Sequence, residues 1–275
     1  AWRTRELRGD HNDGEMEQEY QQIYAITEPG VFKSFPANPP PPSRFKGAPV
    51  FTGPIGLPPE PDVLYENRGD GSFDDVTTLT GTRSGGWGWG SCFADFNNDG
   101  HLDLFHVNGY DSSTLGSTTP FPFRTDASRL FINDHNGSFS EQAVALGIND
   151  NQQGRGIVCF DYDRDGDIDL FVANNGQAPL LYENRGLKAH WLQVRVAGEA
   201  NNSEAIGARV YVSANGLTQM RELSAGSNFM SQNPAIAYFG LGNAMQLESV
   251  RVVWPSGVER TVTGVAADQL LLLGR

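Results

Sequence analysis

Short runs of alternating apolar and polar or glycine positions recur along the chain: GWGWGSCFA (86–94), LDLFHV (102–107), GRGIVCF (154–160), IDLFVA (168–173), WLQVRV (191–196), ARVYVS (208–213) and SVRVVW (249–254). A period of two over four to eight residues, bounded by Gly, Asn, Asp and Pro, predicts β-strands. Two segments, LYEN (64–67) and GSF (71–73), flank the turn-forming RGD and predict a hairpin, and LFIN and GSF around DHN (130–139) predict another. The pattern weakens before residue 63, where a short helix over 15–26 and a stiff ANPPPPS (37–43) are the only features that composition suggests.

These runs belong to repeats. DFNNDGHLDLF (95–105) returns as DYDRDGDIDLF (161–171), 66 residues later, and LYENRGDGSFDDV (64–76) returns as LFINDHNGSFSEQ (130–142) at the same offset. A third copy, LYENRG (181–186), comes only 51 residues on, because the polar insertion at 110–128 is replaced by the short NGQAP. Four short strands in roughly sixty residues describe a propeller blade. Residues 63–77 then supply a half-blade, 86–142 a whole one, and 154–186 one without its last strand. That is too few to close a ring, so missing upstream blades, the N-terminal arm, the C-terminal segment or another subunit is expected to cover the open edges.

Within each repeat the acidic loop reads D-x-[DN]-x-D-G-x-x-D. Oxygen donors at positions one, three, five and nine, a backbone carbonyl at seven and a glycine at six wrap a chain around a hard cation. In the first loop the ligands are Asp95, Asn97, Asp99, the carbonyl of His101, and Asp103; in the second they are Asp161, Asp163, Asp165, the carbonyl of Asp167, and Asp169. Calcium (Ca2+) in two sites is the expected cofactor, since magnesium prefers a stricter octahedron and zinc calls for His or Cys, which these loops do not offer as a set. Acidic turns that merely face solvent are the bland alternative, but the complete pattern occurs twice at matching places. An EF-hand does not fit, because position twelve holds His106 and Val172 rather than a bidentate glutamate.

The repeated units resemble FG-GAP/VCBS repeats, the calcium-loop blades of integrin-type propellers. HWLQVRV (190–196), IGARVYV (206–212), RELSAGSNFMSQ (221–232), YFGLG (238–242) and VRVVWPSGVERTV (250–262) are similar, in order, to the ASPIC/UnbV domain. The combination resembles the cartilage acidic protein family. The expected fold is therefore all-β: residues 1–62 an extended Pro-rich arm, 63–186 a partial integrin-type β-propeller, and 187–275 a small sandwich-like ASPIC/UnbV domain. The resemblance implies an extracellular, cell-surface or periplasmic location and an interaction role.

Composition narrows the chemistry. A net charge of −13 disfavours nucleic acid and anionic membranes and favours cations or basic partners. No apolar run approaches a transmembrane segment; LLLL (270–273) is the longest candidate. HExxH, GxSxG, a phosphate loop and CxxCH are all absent, so the reading is a non-catalytic interaction or scaffold module that works in a larger assembly with a protein partner or further subunits. The alternative is an accessory or substrate-binding part of an extracellular enzyme such as a glycan-active hydrolase, with a glycan ligand. Cys92 and Cys159 precede their loops by three and two residues, on opposite strand faces, which favours buried free thiols over a bond. Arg8-Gly9-Asp10 and Arg68-Gly69-Asp70 are read as incidental, the second being a hairpin turn, and Trp254 as a packing residue.

Overall fold

A computed structural model describes residues 62–110, 123–186 and 188–275, together with the backbone of three strands nearer the N-terminus. The chain is all-β, 45% strand and 4% helix. The features expected at 8–14 and 37–43 lie outside these residues, as does most of the polar insertion.

The strands are, in chain order, β1 (Arg3–Glu6), β2 (Tyr24–Glu28), β3 (Val31–Ser34), β4 (Tyr65–Asn67), β5 (Phe73–Asp75), β6 (Gly88–Ala94) and β7 (Asp103–Asn108). They continue with β8 (Arg129–Asn133), β9 (Phe139–Glu141), β10 (Gly154–Phe160), β11 (Asp169–Asn174) and β12 (Leu180–Glu183). A four-stranded antiparallel meander, β6-β7-β8-β9, forms the complete repeat, and β10-β11-β12 forms the next. Both begin with a register shift, at Gly88/Ser91 and Gly154/Gly156. Glycine is required there by close approach: a Cβ at Gly90 would lie 2.6 Å from the Arg155 carbonyl, and one at Gly154 would lie 2.6 Å from Val107. The two sheets share a core that includes Phe105, Val107, Leu130, Ile157, Leu170 and Val172.

Two strand additions occur at edges left open by the repeats, and the first matches the expectation that the N-terminal arm is one of the covers. Strand β1 adds antiparallel to β12, giving the truncated repeat its fourth strand, and the β2–β3 hairpin extends β4–β5 into a sheet of order β3-β2-β4-β5. Parts of the N-terminal arm are therefore strand, and Tyr24–Ile26, placed in a short helix by composition, open β2. Edge amides and carbonyls that would otherwise be left without partners account for this recruitment. The four-residue helices α1 (Thr77–Thr80) and α2 (Ala143–Leu146) also follow the first two hairpins, each ended by a left-handed glycine, Gly81 or Gly147.

The remaining strands are β13 (His190–Val196), β14 (Arg209–Ala214), β15 (Leu217–Glu222), β16 (Ala237–Gly242), β17 (Gln246–Leu247), β18 (Ser249–Val253), β19 (Glu259–Val262), β20 (Val265–Ala266) and β21 (Gln269–Leu273). Sheets β16-β13-β21 and β15-β14-β18-β19 enclose a second core containing Leu192, Val194, Val210, Val212, Phe239, Val250 and Val252. Trp254 is 2% exposed in it and donates its indole N–H to the Ala197 carbonyl at 3.0 Å, which is a packing role. LLLL belongs to β21, which runs parallel to β13.

Cys92 and Cys159 form a disulfide, correcting the expectation of free thiols. Their opposite-face placement is what allows the bond: β6 and β10 lie in neighbouring sheets, so one sheet's inward face meets the other's opposite face. The bond closes a separation of 67 residues. For a loop of that length the chain-entropy account gives about 4 kcal/mol. Cys92→Ser is expected to lower unfolding stability by about 2 to 4 kcal/mol. Denatured, unreduced wild-type chain should take up no thiol-alkylating reagent, and two equivalents after reduction; uptake without reduction would contradict the bond.

Candidate metal centres

Each acidic loop joins the first two strands of its repeat, β6 to β7 and β10 to β11, so the repeat hydrogen-bond ladder fixes both ends. Position four is left-handed in both loops, Asn98 at φ 57° and Arg164 at φ 67°, and position six is Gly100 at φ 95° and Gly166 at φ 96°. This pair of turns aims successive amides inward. The first-position carboxylates collect them: Asp95 accepts from the N–H groups of Asp99 (3.0 Å) and Gly100 (2.8 Å), and Asp161 accepts from those of Arg164 (2.6 Å) and Gly166 (3.0 Å).

The ninth-position carboxylates tie the loop to the third strand. Asp103 accepts from the N–H of Phe96 and of Asn133, both at 2.9 Å, and Asp169 accepts from Tyr162 at 2.9 Å and Asn184 at 2.7 Å. The side-chain amides of Asn133 and Asn184 in turn donate to the carbonyls of Leu102 and Ile168. These asparagines are loop supports that the sequence reading missed, although their recurrence in LFIN and LYEN was the available signal. At position five, Asp99 accepts from the His101 N–H and Asp165 from the Asp167 N–H, at 2.8 and 2.9 Å.

The loops differ in what faces the fifth carboxylate. Carboxylate oxygens of Asp161, Asp163 and Asp165 lie within 4.8 Å of one another, a converging oxygen set. In the first loop Asn97 donates to Asp99 at 2.6 Å, and Asp99 also meets the imidazoles of His101 and His135. At position seven, Asp167 is half-buried, and its side chain accepts from the Asn98 amide at 2.7 Å, linking the two loops.

Burial raises several of these carboxyls well above the ordinary carboxylate range. Asp103 is pushed up to about 8, by burial first and then by the Asp95 charge, against the amides of Asn133 and Phe96. Burial likewise lifts Asp169 to about 7, and Asp95 and Asp167 to about 6, the latter two with help from Asp99 and Asp165 respectively. A carboxylate keeps about four lone-pair sites over two oxygens, so amide-bonded Asp95, Asp103, Asp161 and Asp169 retain capacity for a cation. The donor set, entirely oxygen in the second loop, fits calcium.

The C-terminal sheets rest on the loops. Gly242 donates its N–H to the Asn98 carbonyl at 2.8 Å, and a Cβ on Gly240 would meet Asp95 at 2.1 Å and Asn98 backbone at 2.4 Å. Gln193 on β13 donates to Asp161, and a Cβ on Gly166 would meet the Trp191 ring at 1.9 Å. Arg221 on β15 interacts with Asp95; burial lowers its guanidinium to about 10, and the Asp95 charge opposes that fall. Further along, the segment at 228–233 closes the free side of β10: Ser231 and Asn233 accept from the N–H groups of Ile157 and Cys159, and the Asn228 amide donates to the Ile157 carbonyl. Alternation patterns carry no information about such inter-segment contacts, so none of these contacts was legible, although most of the residues lie in the stretches that carry the resemblance.

Against known proteins, the profile described as FG-GAP-like repeat matches residues 55–106 and 122–172, and the one described as ASPIC and UnbV matches residues 198–275. Cartilage acidic protein 1 of Homo sapiens is 29% identical over 266 residues, covering 77% of this chain and 40% of that protein. The Xenopus tropicalis protein of the same name is 26% identical over 250 residues, covering 72% and 38%. This chain thus spans about two fifths of the length of these curated relatives.

The raised carboxyls generate a pH dependence in the presence of chelator. Their native values lie above the unfolded value of about 3.9, so the native state holds protons more tightly. The associated stability is fully present at low pH and is lost as pH rises through about 6 to 8. Metal-chelated chain is expected to melt at lower temperature at about pH 8.5 than at about pH 5.5; a higher midpoint at the alkaline pH would contradict the assignment.

Proposed function

We propose that this chain, which joins FG-GAP-like repeats to an ASPIC and UnbV domain as proteins named cartilage acidic protein do, is a calcium-binding, non-catalytic, extracytoplasmic interaction module. The observation that carries the reading is the repeated loop, whose first- and ninth-position carboxylates are held alike by backbone amides in both copies and whose second copy brings three carboxylates together. Calcium would be held by Asp95, Asn97, Asp99, the His101 carbonyl and Asp103, and by Asp161, Asp163, Asp165, the Asp167 carbonyl and Asp169. When bound it supplies positive charge where buried carboxylates otherwise repel one another. The four-stranded sheets are read as consecutive blades of a propeller arc.

The chain's own residues set what that charge does. Asp95 and Asp161 are the first-position ligands; Asp95 also interacts electrostatically with Arg221 and Asp161 accepts from Gln193 of the C-terminal sheets, so ordering the loops orders the surface on which those sheets rest. The Cys92–Cys159 bond supports an oxidising compartment. No helix among the described residues is long and apolar enough to cross a membrane. An interaction role draws support from β21, an edge strand whose Leu270 and Leu272 are 46% and 68% exposed.

Calorimetry on the whole chain is expected to show two calcium ions bound, with one lost in Asp165→Ala and the other in Asp99→Ala. A site with a dissociation constant near about 0.1 mM adds about 1.4 kcal/mol at about 1 mM free calcium, so the pair raises the unfolding midpoint measurably. Absence of binding to the intact chain, or a melting temperature that calcium leaves unchanged, would refute the proposal.

A further inference from the structure

We infer that Asp99, His101 and His135 form a second kind of metal site, for a borderline divalent transition ion such as zinc, at the outer rim of the first loop. Sequence spacing hides it, because His101 is the seventh loop residue and His135 lies 34 positions away in the β8–β9 hairpin. The fold brings one donor atom from each of the three residues within 4.8 Å of the others. His135 Nε2 stands 2.8 Å from Asp99 Oδ2, His101 Nδ1 stands 3.3 Å from Asp99 Oδ1, and the two rings stack with centroids 4.0 Å apart.

Two features favour an ion over a mere hydrogen-bonded cluster. The Nδ1 of His101 is a buried atom with no hydrogen-bond partner, although it points toward the carboxylate. Its neighbour His135 takes a left-handed backbone at φ 58°, with its N–H held by Asn133 Oδ1 at 3.0 Å, and this turn carries the imidazole back over the loop. A side chain that is 48% exposed at a hairpin turn leaves the approach open and allows the ring to splay around an ion.

The chemistry selects the ion. Calcium and magnesium take oxygen and are poorly served by imidazole, whereas zinc, nickel and copper(II) accept two imidazole nitrogens and a carboxylate and can fill a remaining position with water. The second loop has no such option, since Asp167 replaces the histidine at position seven and its hairpin stops at LYENRG. The rim site shares Asp99 with the calcium cradle but does not need calcium to be bound, so the two metals are tested separately.

The test titrates zinc into the whole chain by calorimetry, with and without saturating calcium. Wild type is expected to bind one zinc ion in both conditions. His135→Asn keeps a residue that accepts the left-handed backbone, and His101→Gln keeps the main-chain carbonyl. Each variant should weaken zinc at least about tenfold, and His135→Asn, which removes no calcium ligand, should keep the wild-type calcium stoichiometry. No zinc bound by wild type, or zinc bound equally by both variants, would overturn the site. Zinc binding lost in the variants of a chain that takes no calcium would uphold the rim site and sink only the calcium reading.

Discussion

The burial of clustered carboxylates away from water is the constraint on which the rest of this structure depends. Asp95, Asp103 and Asp169 are 1%, 0% and 0% exposed, in a chain whose net charge is already −13. Burying an ion without compensation is costly. The chain answers with backbone amides, two to each of the first- and ninth-position carboxylates, and with the Arg221 guanidinium beside Asp95. Burial still holds Asp103 and Asp169 well above the ordinary carboxylate range, and the proposed calcium would supply the positive charge that these groups lack.

The same carboxylates lie at the seam between the repeats and the C-terminal sheets. Gly240 and Gly166 lack side chains where Asp95 and Trp191 approach, and Asn98 bonds both to the second loop and to Gly242. A change in loop charge is therefore felt in β13, β15 and β16 through direct contacts. Two edges of the repeat β10-β11-β12 are covered here: β1 covers β12, and the polar segment at 228–233 satisfies alternate groups of β10. Side chains replace a strand on that inner edge, which leaves no continuous ladder for another chain to extend.

Much of this was legible because it is local. Period-two alternation placed β10 at GRGIVCF on its observed bounds and β13 at WLQVRV, one residue short at its start, and the repeated D-x-[DN]-x-D-G-x-x-D identified both loops. What escaped was the non-local part. Strands β1, β2 and β3 form because edges recruit them, and no pattern within residues 1–34 announces that. Cys92 and Cys159 looked incompatible within a single strand frame and became partners once two sheets faced each other. His101 and His135 offered no ligand spacing, since only the β7–β8–β9 pairing brings the hairpin turn over the loop.

Amide hydrogen exchange on the whole chain, with calcium and with chelator, tests most directly whether the loops hold the seam together through their bound charge. The account predicts that calcium slows exchange at the loop amides of Asp99, Gly100, Arg164 and Gly166, and also at Gly242 and along β13, whose own sequences contain no ligand. Equal exchange in the two conditions at both the loops and the C-terminal strands would contradict it.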